Sequence, residues 1–484
     1  MSVSAGGEAR NAGSASPRSA ARRRMRRATR CALPLAAAAG MLAFQGGIGG
    51  SVAGASAASA HDVRLHTAVP VPDVRGPIAL AKQLPAPVST SACLANFGIR
   101  CYTPLQYHTA YNLNSLYSEG ITGAGRTIVI VDSFGSPTIA HDVATFDAQF
   151  GLPSLNLTID KFGTIPPFDP NNATMVGWAE ETTLDVEYAH SIAPGAKIVL
   201  AETPVAEAEG TSGFPEMMNA EQALINSGVG DVISQSFGAT ENTFPGFSQG
   251  NDSSLLHLRY AFKDALRHDV TVLAASGDAG ATNYESDGAT LYPYRVNSWP
   301  SSDPLVTSVG GTQLYLDNNG NRLQPDSVWN DGFGAGGGGV SAVFSRPVFQ
   351  VGVKNVVGHH RGTPDISMTA AVNGAAWVYW SFPGAGAPGW ELIGGTSEAT
   401  PIFAGVVALA DQMAGHRLGW INPPLYTLGA LSQHTSLPTG ITDVTTGNNS
   451  FAGVTGYNAV PGYDLASGWG TIDAYKFVHA LARF

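Results

Sequence analysis

The sequence predicts an α/β fold, a doubly wound and mostly parallel sheet flanked by helices in one large domain. Three observations carry that prediction. Apolar runs of strand length recur at Thr127–Val131, Lys197–Leu200 and Val270–Ala275, too continuous for strands with one wet face. Helix-like stretches fall between them, at Glu180–His190 and Glu221–Ile225, and strands alternating with helices build parallel sheets. Polar residues follow the runs directly, at Asp132, Ser234–Ser236 and Ser276–Asp278. In such sheets the ligand cleft lies beyond the carboxyl ends of the strands.

The size suits this reading. A chain of 484 residues, 44% hydrophobic and 13% charged, is long enough for one large core. Its 58 Gly and 30 Pro point to turns and close backbone approaches, not to a helical bundle. The net charge of -11 hides an asymmetry, because residues 1–60 carry eight Arg and a single acid, Glu8. Setting that segment aside takes Lys+Arg from 26 to 18 and Asp+Glu from 37 to 36, a net charge of -18. So acidic a surface argues against nucleic acid as a partner. It suits a protein working in acid, where carboxylates neutralise and few cations remain to repel one another.

The order of segments at the start is that of an export signal. Arg22–Arg30 is basic, Cys31–Phe44 is apolar, and small residues run to Ala57-Ala58-Ser59-Ala60. Residues 1–60 are therefore expected to be a secretory signal, by the general or the twin-arginine route, with the mature protein extracellular. The apolar core is short for a membrane anchor, and no stable anchor is expected. Residues 61–95 lack clear periodicity and read as a short leader or linker, with the main domain at 96–484. Of the 3 Cys, Cys31 lies in the signal. Cys93 and Cys101 are expected to form a disulfide, two free thiols being the alternative.

Four motifs carry chemistry. In Ile393-Gly394-Gly395-Thr396-Ser397-Glu398-Ala399-Thr400-Pro401, a Gly-Gly turn enters a helix whose first turn holds Ser397. Free N–H groups and the positive end of the helix dipole suit a nucleophile and an oxyanion site there, although a plain helix cap reads the same way. In Trp178-Ala179-Glu180-Glu181-Thr182-Thr183-Leu184-Asp185-Val186-Glu187, Glu181 and Asp185 stand four apart and share one helix face. Pointing into a cleft, they would share protons and one would act as base and acid at low pH; on a surface they would be a solvated acidic face. Ala275-Ser276-Gly277-Asp278-Ala279-Gly280 puts a carboxyl in a turn after a buried strand, where a protonated Asp278 could donate to an oxyanion or simply shape the turn. Near the C-terminus, Asp443-Val444 opens a loop that Val460-Pro461-Gly462-Tyr463-Asp464 closes. Two carboxylates with backbone carbonyls can make an oxygen cage suited to Ca²⁺, two ordinary loop aspartates being the alternative.

In this order the four motifs resemble the sedolisin family of serine-carboxyl peptidases, over about residues 100–484. The resemblance extends to Gly123–Asp132, Ala193-Pro194-Gly195-Ala196, Ser234-Gln235-Ser236-Phe237-Gly238, Trp299-Pro300-Ser301-Ser302, Val309-Gly310-Gly311-Thr312, Gly337-Gly338-Gly339 and Pro364-Asp365-Ile366-Ser367. It implies a subtilisin-like fold and a serine-type peptidase. Ser397 would attack the peptide carbonyl, Glu181 take its proton, Asp185 orient Glu181 and share its charge, and Asp278 fill the oxyanion position. It also implies one structural Ca²⁺ on the side chains of Asp443 and Asp464 and the carbonyls of Val444, Val460 and Gly462. Peptides or proteins would be the substrates of a monomeric enzyme. Three departures stand out. Val460 replaces a frequent glycine, and Asp132 and Phe237 stand where the family usually has Glu and Trp. The leader is also short where the family carries a long folded pro-domain.

Two rivals remain at this level. A histidine-dependent subtilisin-type peptidase could use Asp132, but the one histidine in the relevant helix, His190, follows Asp185 and reads as a capping or surface residue. A catalytically silent peptide-binding homologue is the other, against which all four catalytic positions are filled.

Overall fold

Alternate residues of the predicted strands face two different cores. Ile128 and Ile130, with Ile198 and Leu200, point into one cluster; Val129 and Val131, with Val199 and Ala201, point into another. A strand that buries both faces must be apolar throughout, which is why these runs show no polar alternation.

The computed structural model of the protein describes residues 80–484. The predicted signal, residues 1–60, and the first part of the leader lie outside them. Eight of the described strands join in one sheet. They are β1 (Thr127–Ser133), β2 (Asn156–Lys161), β3 (Lys197–Thr203), β4 (Val232–Gln235), β5 (Thr271–Ala275), β6 (Thr307–Gln313), β7 (Ser327–Val328) and β8 (Ile366–Thr369). The order is β7-β6-β5-β4-β1-β3-β2, with β8 also paired to β6. Every pairing is parallel except β6 with β7. The mostly parallel sheet expected from the sequence is therefore present.

Helix α1 (Ala173–Ile192) and helix α3 (Thr396–Ala414) pack together on one face of this sheet, and α2 (Phe214–Asn226) covers the other. The two predicted helical stretches are the inner parts of α1 and α2. Asn172 caps α1 by accepting from the N–H groups of Thr174 and Met175. From Trp178 onward α1 is buried all round except at Glu180, so its sequence shows little amphipathic contrast. A Cβ on Gly405 of α3 would lie 2.7 Å from Ile192 of α1, so glycine lets the two helices meet.

A smaller sheet of four strands joins Leu80–Leu84, Gly389–Ile393, Ala375–Trp380 and Cys101–Tyr102. The segment 61–95 thus contributes a strand, and a helix over Thr90–Phe97 capped by Ser89 follows it. The Cys93–Cys101 disulfide ties this helix to the small sheet. Strand Gly389–Ile393 runs through Gly394 and Gly395 straight into α3, which sets the position of Ser397.

Candidate active site

The four predicted catalytic positions come from three separate stretches of chain and meet at the carboxyl edge of the sheet. Glu181 and Asp185 lie one turn apart on α1, and neither is exposed to solvent. Ser397 is the second residue of α3, and Asp278 follows the end of β5. Ser397, Asp278 and Thr396 line one small cavity together with Ser236 and Phe237.

The turn into α3 is built around Asp278. Its Oδ1 accepts hydrogen bonds from the Thr396 N–H and the Thr396 hydroxyl, both at 2.7 Å. The Thr396 hydroxyl in turn accepts from the Gly277 N–H at 3.1 Å. A carboxylate at a helix N-terminus is favoured by the dipole and by the unpaired N–H groups. Gly395 has φ +152, and a Cβ there would sit 2.8 Å from Asp278 Oδ2. Glycine is therefore required both by backbone conformation and by the approach of the carboxyl.

Ser236, after β4, links the acid pair to the serine segment. Its hydroxyl donates to Asp185 Oδ1 at 2.8 Å and lies 3.4 Å from the Ser397 carbonyl oxygen. That carbonyl is available because Pro401, four residues on, has no N–H to bond to it. Behind the helix, Glu398 accepts a hydrogen bond from Tyr107 at 2.6 Å, fully buried.

Burial dominates the electrostatics. It pushes the Glu181 carboxyl well above the usual range; the Ser397 hydroxyl pulls the other way, and the charges of Asp132, Asp278 and Glu180 push further up. Neither Glu181 oxygen closes a full hydrogen bond with the protein. Asp185 is also raised, by burial first and then by Asp132 and Glu181, against which the Ser236 hydroxyl acts. Asp132, on β1, is pushed up to about 7 by burial; the Thr182 hydroxyl lowers it and the charge of Glu202 raises it. Asp132 raises both members of the pair and Glu181 raises Asp185, and buried carboxyls coupled in this way cannot all ionise near neutral pH, so the cluster shares protons. Asp132 belongs to this cluster. Phe237 lines the cavity as an apolar residue.

His190 corrects an expectation. It is neither capping nor on the surface but fully buried, 3.1 Å from Asp147 Oδ1 and 2.9 Å from the Pro153 carbonyl. It serves the packing of α1 and not the serine. His359 and His360 are exposed.

Comparison with known proteins fits this geometry. Residues 171–470 match the Subtilase family. The chain belongs to that family. Among its relatives, kumamolisin from Bacillus sp. (strain MN-32) is 32% identical over 403 residues, covering 78% of this chain and 63% of the relative. Sedolisin from Pseudomonas sp. (strain 101) is 30% identical over 399 residues, covering 80% of this chain and 62% of the relative. This chain thus spans a little under two thirds of the length of these curated relatives. The solved structure of Pseudomonas sedolisin, a serine-carboxyl proteinase complexed with two molecules of pseudo-iodotyrostatin, superposes with a TM-score of 0.65 at 29% identity. That match covers 79% of this chain and 98% of the other. Sedolisin is thus among the proteins to which this chain is similar, in line with the resemblance carried by the motifs.

The C-terminal loop brings the predicted calcium ligands to one turn. Asp443 Oδ2 accepts from the Gly462 N–H at 2.7 Å, and Asp464 Oδ2 accepts from the Val460 N–H at 2.9 Å. Asp464 Oδ1 accepts from the Ala466 and Ser467 N–H groups. Asp443 Oδ1 is buried with no donor, which is what a hard cation would satisfy. Val460 is not among the residues with positive φ, so valine is accommodated where glycine is frequent. Among the described residues no group of three or more His, Cys, Asp or Glu could hold a metal, so any site here depends on backbone carbonyls. No helix of the described residues is long and apolar enough to cross a membrane.

Ser236, Thr396, Thr182 and Glu202 are parts of the site that sequence reasoning gave no role. The only signal was position, since Ser236 follows a strand run and Thr396 precedes the serine.

Proposed function

We propose that this protein is a secreted, acid-acting, serine-type peptidase that cleaves peptide bonds through an acyl-enzyme on Ser397. The observation that carries the reading is the meeting of a helix N-terminal serine with a buried carboxyl pair on one side and a carboxyl bound to that N-terminus on the other. Membership of the subtilase family and the likeness to serine-carboxyl relatives support it.

Ser397 Oγ attacks the peptide carbonyl while its proton passes to Glu181. The Ser397 hydroxyl is the interaction that favours charge on Glu181, which suits that carboxyl as the base. Asp185, held by Ser236, shares the proton and keeps the pair at one negative charge. With Oδ1 committed as an acceptor from Thr396, Asp278 carries any proton on Oδ2, which donates to the developing oxyanion. The proton on Glu181 then passes to the leaving amine. Water, deprotonated by the same carboxyl, releases the acid product and restores Ser397. A carboxyl relay of this kind works in acid, because at neutral pH the leaving amine and the oxyanion lose their proton donors.

Calcium fits the loop at Asp443 and Asp464, with the carbonyls of Val444, Val460 and Gly462 as the remaining donors. There it would supply a structural cross-link and no chemistry. The decisive experiment is the pH profile of peptide hydrolysis from about pH 2 to 9 for wild type, Ser397→Ala and Glu181→Gln. An acid optimum lost in both variants supports the mechanism. A neutral optimum, or full activity in Glu181→Gln, overturns it.

A further inference from the structure

The cavity beside Ser397 is small and carries polar groups in its lining. The Ser236–Gly238 segment, Gly277, Asn283 and Ser298 line it together with Ser397. A Cβ on Gly277 would meet no atom within 4 Å, so no side chain crowds that part of the lining. Asn283 and Ser298 are joined by a hydrogen bond from Asn283 Nδ2 to Ser298 Oγ at 2.8 Å. Ser298 is fixed by the pairing of its strand, Ser298–Trp299, with Ala239–Thr240, the continuation of the Ser236–Gly238 segment. Ser298 is thus joined to the segment that carries Ser236.

Size and chemistry then select the occupant. The cavity measures about 40 Å³. A bound water needs roughly 10–15 Å³ on the same measure, so about three heavy atoms beyond a Cβ fit. An Asn side chain has that many and Gln one more, while Phe, Tyr, Trp, Lys and Arg exceed it. The lining keeps hydrogen-bonding capacity: Asn283 spends one N–H on Ser298, leaving its second N–H and Oδ1, and Ser298 retains its own O–H. No Lys, Arg or Glu lines the cavity, and its one acid, Asp278, holds Thr396 through Oδ1 and carries a proton on Oδ2 in the mechanism proposed above. A charged side chain would be desolvated there without a counter-charge, which is costly. An apolar one would leave Asn283 and Ser298 unpaired.

We infer that this pocket selects a short, uncharged, hydrogen-bonding side chain on the residue whose carbonyl Ser397 attacks. Asn and Gln are its occupants at any working pH, and Asp or Glu only when protonated. The inference rests on the peptidase reading and narrows its substrate class, with Asn283 and Ser298 as specificity-determining residues.

The test is a set of peptides identical except at that residue, carrying Asn, Gln, Glu, Phe or Lys, cleaved in acid by wild type, Asn283→Ala and Ser298→Ala. For wild type, kcat/KM for Asn or Gln should exceed that for Phe and Lys by at least about tenfold, the usual weight of a satisfied buried polar contact. In Asn283→Ala the ratio of Asn to Phe should fall by about tenfold or invert, since a polar lining group is lost and the cavity enlarges. Ratios within one preparation do not depend on how much of a variant folds, and Ser298→Ala provides a second, smaller perturbation. A wild type that prefers Phe or Lys, or ratios unmoved in both variants, overturns the inference while leaving the peptidase reading intact. No cleavage of any peptide by wild type overturns both.

Discussion

Raising the pH should unfold this protein, and the buried carboxyls say by how much. In the folded state Asp132 titrates at about 7 and Glu221 at about 8, both raised by burial. Glu181, Asp185, Glu187, Glu207 and Glu398 are raised for the same first reason. Between an unfolded value near 4 and the folded value, the native state keeps a proton that the unfolded chain has released. Stability is then complete below about pH 4 and falls with rising pH by about 1.4 kcal/mol per pH unit for each group. For Asp132 alone the loss reaches about 4 kcal/mol by pH 7, against a typical total of about 5–15 kcal/mol. One group opposes this. His108 is buried and lowered to about 4, so its contribution is lost as pH falls from about 6.5 through 4. That single histidine is worth about 3 kcal/mol in the opposite direction and is outweighed by any two of the acids. The assay is urea unfolding followed by Trp fluorescence at about pH 4, 5.5 and 7, on the Ser397→Ala background to prevent self-digestion. The midpoint should fall steadily toward neutral pH, and Asp132→Asn should flatten the slope by about one proton's worth. A midpoint that rises from pH 4 to 7, or a slope that Asp132→Asn leaves unchanged, would refute the reasoning.

Other consequences are open to measurement. Ser236→Ala removes the hydroxyl from Asp185 and should lower kcat by about 10- to 100-fold with little change in KM, the cost of a hydrogen bond to a charged group. Restoring the bond with Ser236→Thr should recover part of it; equal kcat in wild type and Ser236→Ala would show that Asp185 needs no such partner. His190→Ala should lower stability by about 1–3 kcal/mol, because a fully buried side chain and its contact with the Pro153 carbonyl are lost, yet leave the pH profile of the remaining folded enzyme unchanged. A displaced pH optimum in that variant would return histidine to the mechanism. Asp464→Ala should lower the melting temperature and remove any effect of a chelator, and a wild type indifferent to chelator and added Ca²⁺ would count against the ion.

Much of the fold was legible because its central strands bury both faces. Thr127–Val131 and Lys197–Leu200 are apolar at every buried position, a pattern few other arrangements need. Helix α1 was harder, since being buried nearly all round it lacks an apolar stripe, and only its Glu181–Asp185 spacing marked a face. The short strands at Ser298–Trp299 and Ile366–Thr369 have no periodic signal of their own; their partners hold them. His190 was misread because helix position says nothing of what packs over a helix end, and Asp147 lies forty-three residues away.

By itself the sequence determined the alternation of strands and helices, the family, and the residue types of the site, since each is written in local order or spacing. The tertiary structure decided what those residues do to one another. Burial turned two acidic residues on a helix into a proton-sharing pair, and the end of β1 brought Asp132 to join them. Pro401 freed the Ser397 carbonyl that Ser236 approaches, and the pairing of Ser298–Trp299 with Ala239–Thr240 brought Ser298 and Asn283 into one pocket lining with Ser397. Such effects depend on distance and exclusion of water, and both are properties of the folded chain.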